Sequence, residues 1–181
     1  DKIDDATIRQ QADALVASGL RNLGYIYVNI DDGWQGNRDA SGIIHPNARF
    51  PDMKLLADYV HSKGLKLGLY SSPGPKTCAG YAGSYGYVEQ DAKTYADWGV
   101  DYLKYDLCSV EAFYLDMDSI RRAYAQLGHA LCSTGRPIFY SLCEHGRDHV
   151  GPWGTSVVWQ LSLPTGDIDH RLQSTAVHGF D

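Results

Sequence analysis

Val100-Asp101-Tyr102-Leu103-Lys104-Tyr105-Asp106-Leu107-Cys108 is a short β-rich run that ends in a carboxylate, with a lysine two residues before it. Side chains on a strand alternate between faces, so Lys104 and Asp106 point the same way. In a parallel barrel, active sites are built at the C-terminal ends of the strands, which makes Asp106 a candidate catalyst. On these residues alone, a salt-bridged strand end is the competing reading.

The chain around this run alternates between two periodicities. Residues 88–98 read as a helix closed by Gly99, and residues 112–132 as a long helix with Ile120, Tyr124, Leu127 and Leu131 along one stripe. Residues 6–18 form an amphipathic pattern on Ile8, Ala12, Leu15 and Val16. Residues 53–62 do the same on Leu55, Leu56, Tyr59 and Val60, with Gly64 as a C-terminal signal. Between the helices, the β-branched and aromatic runs 24–30, 65–70 and 136–142 read as strands. The Gly, Asn, Asp and Pro content of residues 35–51 reads as an irregular loop. Ser71-Ser72-Pro73-Gly74-Pro75 opens a second long loop that carries Cys78.

Strand and helix thus repeat roughly every 35 residues, the spacing of successive βα units in a parallel sheet. A doubly wound sheet would announce a glycine-rich phosphate loop after its first strand, and the sequence shows none. The expected fold is α/β, a partial (β/α)8 TIM barrel occupying residues 1–181 as one incomplete catalytic domain. A complete barrel takes about 250 residues, so the 181 residues here are expected to lack units.

Composition narrows the functional classes. The net charge of -6 gives no electrostatic footprint for nucleic acid. No apolar run reaches membrane-spanning length. The chain opens on Asp1 with no apolar leader before it, so any targeting segment is expected to lie outside this sequence. The expected strand ends bring Asp31, Asp32, Tyr70, Lys104, Asp106, Glu144 and, further on, Asp167 to one rim. Many carboxylates with one lysine favour acid/base and nucleophilic chemistry, and breaking a glycosidic bond needs two carboxyl groups. A Mg²⁺ site on Asp31, Asp32 and Asp106 is the competitor, but Lys104 beside them would repel the cation, so neither metal nor cofactor is expected. Cys78 and Cys108 fall in neighbouring βα loops and are either bridged or two thiols; neither has zinc-type spacing. Cys132 falls on the apolar stripe of its helix and reads as core, and His61 and His129 read as structural.

Four stretches carry a resemblance: Tyr27-Val28-Asn29-Ile30-Asp31-Asp32-Gly33-Trp34; Tyr59-Val60-His61-Ser62-Lys63-Gly64-Leu65-Lys66-Leu67-Gly68-Leu69-Tyr70; Lys76-Thr77-Cys78-Ala79-Gly80; and the run from Asp97-Trp98-Gly99 through Asp106. They resemble glycoside hydrolase family 27, the family of the α-galactosidases and α-N-acetylgalactosaminidases. The resemblance implies a retaining hydrolase releasing terminal α-linked galactose from oligosaccharides, with Asp106 as nucleophile. It implies that Lys104, Asp31 and Asp32 bind sugar hydroxyls, and that Tyr70 and Cys78 line the pocket. Cys78 and Cys108 would form the family's active-site disulfide, and with it comes an expected secreted or periplasmic location. Glu144 falls near the sugar's 2-substituent and resembles the galactosidase branch rather than the N-acetyl branch.

The acid/base aspartate of the family lies in a Trp-Arg-x-x-Gly-Asp-Ile motif. Here Gly166-Asp167-Ile168 is present, but Trp159 is followed by Gln160 rather than arginine, and its spacing to Asp167 is longer. His145 stands where the family has tryptophan. These departures keep two alternatives open: a shift toward β-L-arabinopyranosides or isomalto-type substrates, and a non-catalytic sugar-binding homologue. The family's first strand, last strands and C-terminal β-sandwich have no counterpart here, so the chain reads as an internal piece of a longer protein.

Overall fold

The run that opens the sequence reading is the middle strand of a five-stranded sheet in the computed structural model, which describes residues 3–144, Trp153 and the backbone of Leu161–Leu163. In chain order the elements are α1 (Asp5–Ala17), a 3₁₀ turn (Leu20–Leu23), β1 (Tyr27–Asn29), β2 (Gln35–Arg38), β3 (Ile44–Pro46), α2 (Met53–Ser62), β4 (Lys66–Ser71), α3 (Val88–Trp98), β5 (Tyr102–Asp106), α4 (Met117–Ser133), β6 (Phe139–Cys143) and β7 (Leu161–Leu163). The sheet runs β1-β4-β5-β6-β7, and every neighbouring pair is parallel. Its order follows the chain without reversal. A doubly wound sheet reverses at a switch point, so this continuous winding is that of a (β/α) barrel.

Alternation along the strands divides the sheet into two faces. Val28, Leu67, Leu69, Leu103, Tyr105, Tyr140 and Leu142 are buried in the core, on the face that the helices cover. The other face carries Tyr27, Tyr102 and Phe139 at the N-terminal ends of their strands, where Tyr102 stacks on Phe139 with ring centroids 5.6 Å apart. Gly68 shares this face because nothing larger fits: a Cβ there would lie 2.0 Å from Asn29 Oδ1 and 2.9 Å from the Tyr102 ring. At the next level up the same face turns polar, with Lys104 opposite both Tyr70 and Ser141.

Side chains fix the helix ends. Asp4 accepts from Thr7 N, Asp52 from Leu55 N, and Asp116 forms a capping box with Ser119. Trp34 is fully buried and meets Tyr95 and Trp98 edge-on, which seats the segment after β1 against α3. Asp101, just below β5, accepts from Leu67 N at 2.9 Å, from His61 at 2.7 Å and from Arg136 Nη2 at 2.7 Å. That clamp joins α2, β4, β5 and the approach to β6, and it explains His61 as a structural residue.

Several sequence expectations need correction. Residues 35–51 contain an antiparallel hairpin, β2–β3, with an irregular register between Gln35 and Arg38. Its strands are polar and short, so they lack the alternation that marks a strand. The long fourth helix starts at Met117, because Asp116 caps it; Phe113 and Tyr114 instead turn back on Val110 O. Leu55 is 60% exposed, and the buried stripe of α2 is Met53, Leu56, Ala57 and Val60. Cys132 is exposed rather than core, because it sits past the edge of the buried stripe formed by Tyr124, Leu127 and Leu131. Among the described residues no helix is long and apolar enough to cross a membrane.

The β2–β3 hairpin is tied to α3 by one ion pair. Arg38 donates to both oxygens of Asp91, at 2.6 and 2.7 Å, to Gly42 O and to Gly83 O, and its guanidinium lies over the Tyr87 ring. Burial pushes the Asp91 carboxyl up, and the bidentate guanidinium pulls it back. Breaking a buried pair strands the remaining charge. Arg38→Ala is therefore expected to destabilise the fold by about 3–5 kcal/mol, read as a lower denaturant midpoint, while a double change to apolar residues of similar volume should recover part of the loss.

Candidate active site

Three strand ends converge on Asp106. It is the last residue of β5 and only 5% exposed, and its Oδ2 accepts from the Tyr70 hydroxyl at 3.0 Å. Lys104, one inward step earlier, reaches the same oxygen at 3.7 Å and Asp31 Oδ2 at 3.2 Å. Burial works against the Lys104 charge, but Asp31 and Asp106 outweigh it and hold the ammonium above the ordinary lysine range. Burial and the neighbouring Asp106 push the Tyr70 phenol far above its usual range, so it remains a donor at every working pH.

The wall beside this group is a loop folded back on itself. After β4, the segment through Lys76 and Ala82 closes an isolated antiparallel bridge, and its tip carries Cys78 and Ala79. Ala79 N donates to Asp32 Oδ2 at 2.7 Å, while Asp32 Oδ1 is buried with no partner among the described residues. An acceptor left in that state suits a ligand hydroxyl. Cys78 and Cys108 are bonded as a disulfide with Cα atoms 5.1 Å apart, so the resemblance gave the correct pairing. Cys108 Sγ also lies 3.4 Å from the Tyr70 hydroxyl.

Other residues hold these groups and carry no signal of their own in the sequence. Trp34 Nε1 and Gln35 Nε2 both donate to Tyr70 O, at 2.9 and 3.1 Å. The Ser72 hydroxyl donates to Cys108 O at 2.9 Å and sits 3.3 Å from Cys108 N. Gly74 lets the two loops touch backbone to backbone, since a Cβ there would fall 2.2 Å from Cys108 O. Glu144 follows β6 with no exposed surface, one residue past the Asp106–Cys143 register pair. Asp167 and His145 lie outside the described residues. So does the stretch on either side of β7, a strand that the sequence reading did not anticipate and that pairs with β6 shortly before Asp167 in the chain.

With this geometry in view, the comparisons with known proteins are specific. The family described as alpha galactosidase A matches residues 1–151. The chain belongs to that family, glycoside hydrolase family 27. It is 49% identical over 178 residues to an alpha-galactosidase of Cyamopsis tetragonoloba, covering 95% of this chain and 41% of that relative. Alpha-galactosidase I from Mortierella vinacea superposes with a TM-score of 0.82 at 43% identity, over 88% of this chain and 41% of that one. The alpha-galactosidase of Saccharomyces cerevisiae solved with raffinose gives a TM-score of 0.84 at 36% identity, over 89% of this chain and 36% of that one. The chain thus spans less than half the length of these family members, and the family barrel is present in part.

The disulfide closes a loop of 30 residues. Chain-entropy reasoning gives such a cross-link roughly 3–4 kcal/mol, set against any native strain. Replacing both Cys78 and Cys108 with alanine should lower stability by about that amount, measured as the shift in denaturant midpoint against the unreduced protein.

Proposed function

We propose that the whole protein is a retaining glycosidase that removes terminal α-linked galactose from oligosaccharides. The observation that carries this reading is the environment of Asp106: a nearly buried carboxylate at a barrel strand end, ion-paired to Lys104 and hydrogen-bonded by Tyr70. In this reading Asp106 attacks the anomeric carbon and forms a covalent glycosyl intermediate. Asp167 protonates the leaving oxygen and then removes a proton from the water that releases the sugar. Lys104, Asp31 and Asp32 hold sugar hydroxyls, and Tyr70 and Cys78 shape the pocket. Glu144, by its likeness to the galactosidase branch, faces the 2-hydroxyl and leaves no space for an acetamido group. The raffinose bound by the yeast relative supports a galactose-containing oligosaccharide as substrate. The Cys78–Cys108 bond supports export to the periplasm or the exterior, where disulfides persist.

The full-length protein should hydrolyse 4-nitrophenyl α-galactoside with retention of configuration, followed by NMR of the first-formed anomer. Asp106→Asn should reduce turnover to background. Asp167→Asn should lower kcat by about 10²–10⁴, the range of lost general acid/base catalysis. An inverted product, or full activity in Asp106→Asn, would rule out the mechanism. Activity on β-L-arabinopyranosides in preference to galactosides would move the specificity within the family.

A further inference from the structure

Behind the strand ends, one carbonyl gathers three elements. Cys143 O belongs to the peptide that leads into Glu144, and it accepts from Leu107 N at 3.0 Å and from the Tyr124 hydroxyl at 2.8 Å. Leu107 N belongs to the peptide that follows Asp106. The buried carboxylates of neighbouring strands, Asp106 and Glu144, therefore hang from peptide units that meet at a single oxygen. Tyr124 reaches that oxygen from α4, on the helix side of the sheet. Its ring is fully buried, edge-on to Tyr105 at 5.6 Å and tilted against Trp153 at 5.9 Å. β6 fixes it in return, since the Tyr140 hydroxyl donates to Tyr124 O at 3.0 Å. Burial, and after it the Asp106 charge, push the Tyr124 phenol up, so its hydroxyl keeps the proton it donates.

We propose that Tyr124 is a positioning residue that fixes Glu144 relative to Asp106, a role that rests on the proposed assignment of Asp106 as nucleophile and of Glu144 to the sugar's 2-hydroxyl. C1 and C2 of a pyranose are bonded neighbours. A carboxylate that attacks the first and a carboxylate at the hydroxyl of the second must therefore keep a fixed separation, and the peptides that carry them set it. The Leu107–Cys143 hydrogen bond ties those peptides to each other, but a single bond leaves the carbonyl free to swing about it. The Tyr124 hydroxyl adds a second direction, anchored in the core, and removes that freedom. Contacts to a 2-hydroxyl strengthen in the transition state, so an error in this placement falls on turnover rather than on ground-state binding. The hydroxyl is also separable from the fold. In Tyr124→Phe the ring keeps its aromatic neighbours and Cys143 O keeps the Leu107 amide, so no buried acceptor is stranded.

The test compares the full-length protein on 4-nitrophenyl α-galactoside and on its 2-deoxy counterpart, which lacks the hydroxyl at issue. Tyr124→Phe should lower kcat on the galactoside by about tenfold to a hundredfold, the upper end being the cost of a misplacement of about 1 Å, with KM nearly unchanged. Its loss on the 2-deoxy substrate should be much smaller, and that residual turnover reports a folded variant. Glu144→Gln should narrow the gap between the two substrates in the same sense. Ile120→Val, which trims a buried side chain of the same helix and removes no hydrogen bond, should leave the gap as it is. Equal losses on both substrates in Tyr124→Phe, an unchanged kcat on the galactoside, or a gap narrowed as much by Ile120→Val would each overturn the proposal. If Glu144→Gln leaves the gap intact, the assignment of Glu144 fails and the role of Tyr124 falls with it. If Glu144→Gln narrows the gap and Tyr124→Phe does not, the role of Tyr124 alone is refuted.

Discussion

Two carboxylates, Asp31 and Asp106, share the ammonium of Lys104, which stands 3.2 Å from the first and 3.7 Å from the second. A cation placed between two like charges offsets their repulsion and fixes where each oxygen points. Several neighbouring groups hold the ends of β4 and β5 beside it. Trp34 and Gln35 grip the Tyr70 carbonyl, Ser72 grips the Cys108 backbone, and the disulfide joins the two loops.

The opposite end of the sheet does different work. Asp101 collects a backbone amide, a histidine and an arginine on its two oxygens, and the arginine also caps the carbonyls of Gly99 and Val100. These contacts are local to the strand N-termini, the end of a barrel associated with stability rather than chemistry. Asp101 and Asp106 are thus two carboxylates on one strand run with separate tasks: one is saturated by partners on the floor, and the other is held at the rim by a lysine and a phenol.

Much of this was legible in the sequence because the elements that matter announce themselves by period. The run from Tyr102 to Asp106 alternates faces, its two polar residues share one, and Gly99 stops the helix before it. The hairpin of Gln35–Arg38 and Ile44–Pro46 was not legible, because polar strands held by an arginine to a distant helix have no periodic signature. Cys132 was misplaced for a related reason: a stripe read from spacing alone has no defined edge, and one position decides between core and solvent. The roles of Trp34 and Ser72 were hidden because they act on backbone atoms, which no residue pattern records. The disulfide pairing came from resemblance to a family, since spacing left it open.

The folded-back loop that carries Cys78 has a further consequence for what the pocket admits. Its base is closed by the Lys76–Ala82 bridge, one flank is bonded to Cys108, and the amide of Ala79 is fixed on Asp32. The next residue, Gly80, has a φ of +86° and nothing within 4 Å of where a side chain would begin. The turn is closed from within by Gly80 N donating to Thr77 O at 2.9 Å, and the space beside it is open. A wall fixed at its base, flank and tip needs little further ordering when a ligand meets it, so less of the binding energy is lost to arranging the loop.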